Sequence, residues 1–134
     1  MIEEADVFEG FNVPPPPPVE MDRSYEATLQ GLKTKRGVRD DGEPWTMVVW
    51  TFEVKGTNDE KCDLDATSSD SLHPMSKAFG WLMALAGKQI ATEAPSMKPG
   101  DLAHVLIGLD CIVTIGPDKQ GFPKVVGVSA PLKR

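Results

Sequence analysis

The stretch Trp45-Thr46-Met47-Val48-Val49-Trp50-Thr51-Phe52-Glu53-Val54 decides the fold of this chain. It holds neither glycine nor proline and is rich in β-branched and aromatic side chains, the composition of a long strand. Strand side chains alternate between faces, so Val48, Trp50, Phe52 and Val54 share one face and must be buried. Trp45, Met47, Val49, Thr51 and Glu53 share the other. That second face is apolar at its start, which a strand with one solvated side does not require. It is either a second packed face or a binding platform.

Outward from this strand the chain reads as short elements joined by turns. Ser24 to Leu32 alternates Tyr25, Ala27 and Leu29 against Glu26, Thr28 and Gln30, a half-buried first strand. Residues 33–44, with Gly37, Gly42, Pro44 and the pair Asp40-Asp41, form a long hairpin loop before the second strand. Lys55-Gly56-Thr57-Asn58-Asp59 is a turn, and Lys61 to Thr67 alternates as a third strand whose modest apolar content suits an edge. Met75, Ala78, Phe79, Leu82, Leu85 and Ala86 recur at helical spacing, with Gly87 as the stop. Gly80 inside that pattern either weakens the helix or admits a close backbone approach. Residues 88–100, with Pro95, Pro99 and Gly100, read as loop, and Asp101 to Leu106 as a short helical turn. Leu109 to Ile115 and Phe122 to Val128 are fourth and fifth strands around the turn Gly116 to Gly121.

The expected fold is therefore all-β with one helix: a five-stranded OB-like barrel with its helix between strands 3 and 4. An SH3-like barrel and an α+β sheet are the alternatives. In the OB arrangement the ligand surface is built from strands 2 and 3 with the loops joining strands 1–2 and 4–5.

Charge divides the chain in two. Residues 1–22 carry Glu3, Glu4, Asp6, Glu9, Glu20 and Asp22 with no basic residue, which accounts for the whole net charge of −6. All 14 lysines and arginines lie beyond them with the remaining 14 acidic residues, so the body is neutral. Pro14 to Pro18 enforce an extended rod, and the acidic part before it has too little apolar surface to fold alone. We read 1–22 as an acidic, proline-rich flexible tail and 23–134 as the barrel domain. Phe8 and Phe11 mark the tail as a docking segment, either for a partner protein or for the chain's own cationic groove.

No apolar run approaches the roughly 18 residues of a membrane span, and the acidic start lacks the pattern of a secretory signal. The expectation is a cytoplasmic protein without membrane association. Cys62 and Cys111 are expected as free buried thiols rather than a disulfide. His73 and His104 have no partner at metal-ligand spacing. Asp63 and Asp65 on one strand face could hold a cation, but a solvated edge is the simpler reading. No nucleophile–base arrangement, phosphate-cradling glycine loop or metal motif is present. Neither catalysis nor a cofactor is expected.

Binding has the better support. Lys33, Lys35, Arg36 and Arg39 fall in the 1–2 loop of the barrel reading, and Lys61, Lys119 and Lys124 could line the same groove. Single-strand binders combine cations that follow phosphates with aromatic rings that stack bases. Trp45 is the first stacking candidate and Phe122 the second, with Trp50 and Phe52 assigned to the core.

Further residues carry a resemblance. They are Tyr25-Glu26-Ala27, Lys33-Thr34-Lys35, Trp50 to Gly56, Trp81-Leu82 with Leu85-Ala86-Gly87, and Leu106-Ile107-Gly108-Leu109-Asp110-Cys111-Ile112-Val113. Through these, residues 23–131 resemble small phage and prophage replication-module proteins predicted to bind single-stranded DNA. The resemblance implies an OB-fold protein of phage or mobile-element replication or recombination, working in the host cytoplasm. It would bind single-stranded DNA, or RNA, with little sequence preference, and its acidic tail could dock a replication or recombination protein; the residues leave a homo-oligomer open. The proline rod and acidic tail depart from that pattern. The competing expectation is a protein-interaction module that docks a partner through the tail or the barrel face.

Overall fold

The computed structural model describes residues 17–131. Five strands, β1 (Ser24–Val38), β2 (Pro44–Lys55), β3 (Lys61–Ser69), β4 (Asp110–Pro117) and β5 (Pro123–Ser129), alternate with three helices between β3 and β4. These are α1 (Lys77–Ala86), α2 (Lys88–Glu93) and α3 (Pro99–Leu106). All strand pairs are antiparallel, in the order β3-β2-β1-β4-β5. The tryptophan-rich stretch is thus β2, and the middle of the sheet is β1.

β1 is shared. Ser24–Thr28 pairs with β4 on one side, while Ala27–Val38 pairs with β2 on the other. A β-bulge between Leu29 and Gly31 gives one extra residue to β1. Without it, the two-residue period would turn Leu32 outward once Ala27 and Leu29 had turned in. With it, Leu29 opposes Phe52 and Leu32 opposes Trp50, all on the inner face.

That inner face forms the core with the helices. Phe52, Leu29, Val54, Val113 and Ile115 are fully buried, joined by Leu82 and Leu85 of α1 and by Leu106 of α3. The ring of Trp81 meets Trp50 edge-on at 5.2 Å and Phe52 at 6.3 Å. Such pairs contribute about 0.5–1.5 kcal/mol beyond area burial. The indole N–H of Trp50 donates to Ser68 Oγ at 2.9 Å, and that hydroxyl donates to the carbonyl of Ser69. The polar end of the buried ring is therefore satisfied.

Several expectations are corrected. The closed barrel is not formed: β3 and β5 approach each other, yet each pairs with one neighbour only. Among the described residues there are three α-helices rather than one. Gly87, at φ +91°, ends α1 and turns the chain into α2. Pro99 occupies the first turn of α3, where its missing N–H costs nothing, so it starts a helix instead of marking a loop. Ser76 caps α1 through Phe79 N–H, leaving Met75 outside the helix and 87% exposed. Trp81, absent from the expected apolar stripe, is 5% exposed, and no backbone approaches Gly80.

Pro17–Asp22, assigned by sequence to the tail, lies along the body. The Pro18 carbonyl accepts from Thr57 N–H at 2.7 Å and from Thr57 Oγ1 at 3.1 Å. A Cβ at Gly56 would fall 2.0 Å from that same oxygen, so glycine is required there by contact rather than by conformation. Asp22 N–H donates to the Ile115 carbonyl, and Arg23 pairs with Glu20 at 2.8 Å. Phe8 and Phe11 lie outside the described residues. No helix among the described residues is long and apolar enough to cross a membrane.

Candidate nucleic-acid interface

The outward face of β1–β2–β3 carries the candidate site. β1 and β2 extend past the end of β4 as a hairpin arm, pairing out to Val38 and Pro44. Lys33, Lys35 and Arg36 are therefore strand residues, correcting their expected place in a loop. Only residues 39–43 form the tip, closed by Arg39 N–H to the Glu43 carbonyl and by Gly42 at φ +88°.

Cross-strand register sets which side chains share a face. Lys33 opposes Val49, Lys35 opposes Met47 and Gly37 opposes Trp45, so all six sit on the outward face. Thr67 and Ser69 continue it onto β3, opposite Val49 and Met47. Arg36 opposes Thr46 and projects from the other side of the arm with exposed Val38. Arg39 sits at the tip.

Trp45 is half-buried because its ring lies over Gly37. A Cβ at Gly37 would meet the indole at 2.2 Å (Cζ2), 2.5 Å (Cε2) and 2.8 Å (Nε1). Any larger residue at 37 would lift the ring. The hairpin therefore holds one broad, rigid aromatic group beside two exposed lysines. Val49, outside the core cluster, is nonetheless only 6% exposed, so the strip Trp45–Met47–Val49 is a packed apolar surface. A glycine placed in a strand opposite a tryptophan is the sequence signal for this seat, and it is hidden until the pairing register is known.

The far end of the same face is acidic. Glu53 accepts from Gln30 Nε2 at 2.8 Å and pairs with Lys61 at 3.6 Å, while Asp65 accepts from Thr51 Oγ1. Lys61 is thus engaged by a carboxylate at the end remote from Lys33 and Lys35. A depression of about 520 Å3 nearby is lined by Glu26, Glu53 and Asp110 against Lys55 and Lys61. Three carboxylates against two cations do not favour a polyanion.

Lys119, Phe122 and Lys124 form a second group on the β4–β5 side of the sheet. Asp118 builds that turn, its Oδ1 accepting from Gln120 N–H and Phe122 N–H at 2.8 and 2.9 Å. Phe122 is 62% exposed. Lys77, not singled out by the sequence, lies 4.9 Å over the Trp81 ring. Partial burial, and then the positive charge of Lys124, hold it below the ordinary lysine range. The structure thus places Lys33, Lys35 and Trp45 on one face of the arm, while Lys119, Phe122 and Lys124 belong to the β4–β5 hairpin, where Lys124 acts on Lys77.

Among the described residues no group of three or more His, Cys, Asp and Glu side chains could hold a metal ion. His73 Nδ1 accepts from Met75 N–H, and His104 lies in the last turn of α3. Cys62 and Cys111 are free thiols. Burial, reinforced by Asp110, pushes the Cys111 thiol up to about 12. Its weak thiolate character leaves little nucleophilic reactivity.

No family model, curated protein or solved structure matches this chain.

Proposed function

We propose that this chain is a non-enzymatic, OB-like protein that binds single-stranded nucleic acid through the outward face of its β1–β2 arm. The observation that carries the reading is the Trp45 indole, seated on Gly37, with Lys35 and then Lys33 following it along the same face of the arm. An aromatic ring held rigidly loses little freedom when a base stacks on it, and each stack contributes about 1–3 kcal/mol. Lysines on the adjacent strand suit the phosphates that run beside stacked bases. Stacking on an aromatic ring tolerates any base, which suits binding of little sequence preference.

The OB-like assignment is supported by the strand order, with β1 paired to both β2 and β4 and the edge strands β3 and β5 drawn together. The resemblance to phage and prophage replication-module proteins favours DNA as the ligand and replication or recombination as its setting, within a host cytoplasm.

Titrating a dT oligonucleotide at low salt while following tryptophan emission tests the reading. Trp50 and Trp81 are 3% and 5% exposed, so quenching by the oligonucleotide reports Trp45. The expected result is quenching that disappears in Trp45→Ala, with affinity reduced about tenfold or more. Absence of quenching and of binding at low salt overturns it and leaves a protein-docking scaffold as the better description.

A further inference from the structure

The hairpin arm has an unpaired edge. β4 leaves β1 after Thr28, and the last bonds on that side join Leu29 to Gly108 and Leu109. From Gly31 to Val38, alternate N–H and C=O groups of β1 turn away from β2, and no described residue pairs with them. Such an edge accepts an added strand, with the backbone supplying affinity and the side chains supplying choice of partner. Lys33, Lys35 and Arg36 make no ion pair among the described residues. Pairing with a second copy of β1 would set these cations against each other, which disfavours self-association along this edge.

We infer that the chain's own residues 3–13 are the strand that this edge takes, so that the acidic tail covers the arm and competes with nucleic acid. The inference rests on the nucleic-acid reading of the same face. Residues 3–13 hold Glu3, Glu4, Asp6 and Glu9 and no cation, opposite in sign to the arm. They contain no proline, and Val7, Phe8, Phe11 and Val13 suit strand structure. Laid along β1, Glu9 and Phe11 share a face, as do the lysines and Trp45 on the arm.

The anchor makes the geometry feasible. The chain is fastened at Pro18 to Thr57, beside Gly56 at the end of β2 remote from the hairpin tip. β2 spans 12 residues, roughly 40 Å at about 3.4 Å each. The 17 residues ahead of Pro18 reach roughly 55 Å when extended. The tail is long enough to lie along the arm while still tethered, and tethering raises its local concentration to the millimolar range or so. An extended acidic strand that presents an aromatic ring offers the same two features as a stretch of single-stranded DNA.

Three forms of the protein test this: the full chain, a chain lacking residues 1–13 that keeps the Pro18 anchor, and a full chain with Glu3, Glu4 and Glu9 changed to Gln and Asp6 to Asn. Amide hydrogen exchange along Gly31–Val38 reads docking directly and needs no nucleic acid. Protection is expected in the full chain, with exchange about tenfold faster after truncation. The truncated and neutralised forms are expected to bind dT oligonucleotide about three- to tenfold tighter than the full chain at low salt. Equal exchange rates overturn the inference even where oligonucleotide binds, and so do equal affinities among forms that bind. Failure of all three forms to bind overturns the nucleic-acid reading, while the exchange data still decide whether the tail docks. A full chain that is dimeric and becomes monomeric on truncation places the tail on a second copy and overturns the intramolecular arrangement.

Discussion

Trp45 and Gly37 face each other across the β1–β2 hairpin, and the indole occupies the space that a side chain at position 37 would need. Gly37 has no left-handed backbone conformation to protect, so alanine is excluded there by the ring alone. Gly37→Ala should displace the indole while stability changes by less than about 1 kcal/mol, since the alanine regains strand propensity as packing is lost. The measurement is tryptophan emission of the free protein and its quenching by oligonucleotide. A red shift with reduced quenching is expected. An unchanged spectrum would show that the ring does not depend on this seat.

Ser68 holds the buried end of Trp50. Its hydroxyl accepts the indole N–H at 2.9 Å, with the ring 3% exposed. Ser68→Ala leaves that N–H without a partner in a dry site and should destabilise the fold by about 1–3 kcal/mol. Urea denaturation checks this against Ser69→Ala, whose side chain is exposed and whose effect should stay within about 0.5 kcal/mol. Equal effects would contradict the assignment.

The strap at Pro18 predicts a cost at Gly56. At φ −82° the backbone there tolerates alanine, so any penalty reports the contact with the Pro18 carbonyl. Gly56→Ala should push the strap away, break both Thr57 hydrogen bonds and lower the urea midpoint by the equivalent of about 1–3 kcal/mol. Thr57→Val should cost less, because the backbone bond survives. The reverse order would place the contribution in the hydroxyl instead.

Cys111 introduces a dependence on alkaline pH. Burial raises its thiol from the ordinary 9.0 to about 12, so the folded state keeps a proton that the unfolded state gives up first. The associated stability is fully present below pH 9 and is lost as pH rises toward 12, by at most about 1.4 kcal/mol per pH unit. Other groups titrate in that window, so the measurement is the difference between the wild type and Cys111→Ala. The wild type should lose stability faster. Parallel pH profiles would contradict a buried neutral thiol.

The inner face was the legible part of the sequence. Trp50, Phe52 and Val54 announce it through simple alternation, and Leu82 and Leu85 through helical spacing. The arm was not legible, because Lys33-Thr34-Lys35-Arg36-Gly37 carries the composition of a loop. Pairing with β2 overrides that composition, since Val48 and Trp50 bring strong strand partners to weak ones. The bulge at Leu29–Gly31 was hidden for a related reason: an inserted residue leaves the alternation intact on either side of it. The residues of α2 read as loop because Pro95 and Pro99 follow them as breakers, although Pro99 begins a helix. The Trp45–Gly37 seat depends on a pairing register that neither residue discloses alone, so the candidate cations were named without the geometry that separates Lys33 and Lys35 from Arg36.

The salt dependence of oligonucleotide binding tests the central claim most directly. If Lys33 and Lys35 each neutralise a phosphate beside Trp45, log affinity should fall linearly with log salt. The double variant Lys33→Ala/Lys35→Ala should then give a slope shallower by about 1.4, at about 0.7 per single-strand phosphate contact. A slope identical to that of the wild type, or binding that does not respond to salt, would contradict the placement of nucleic acid on this face.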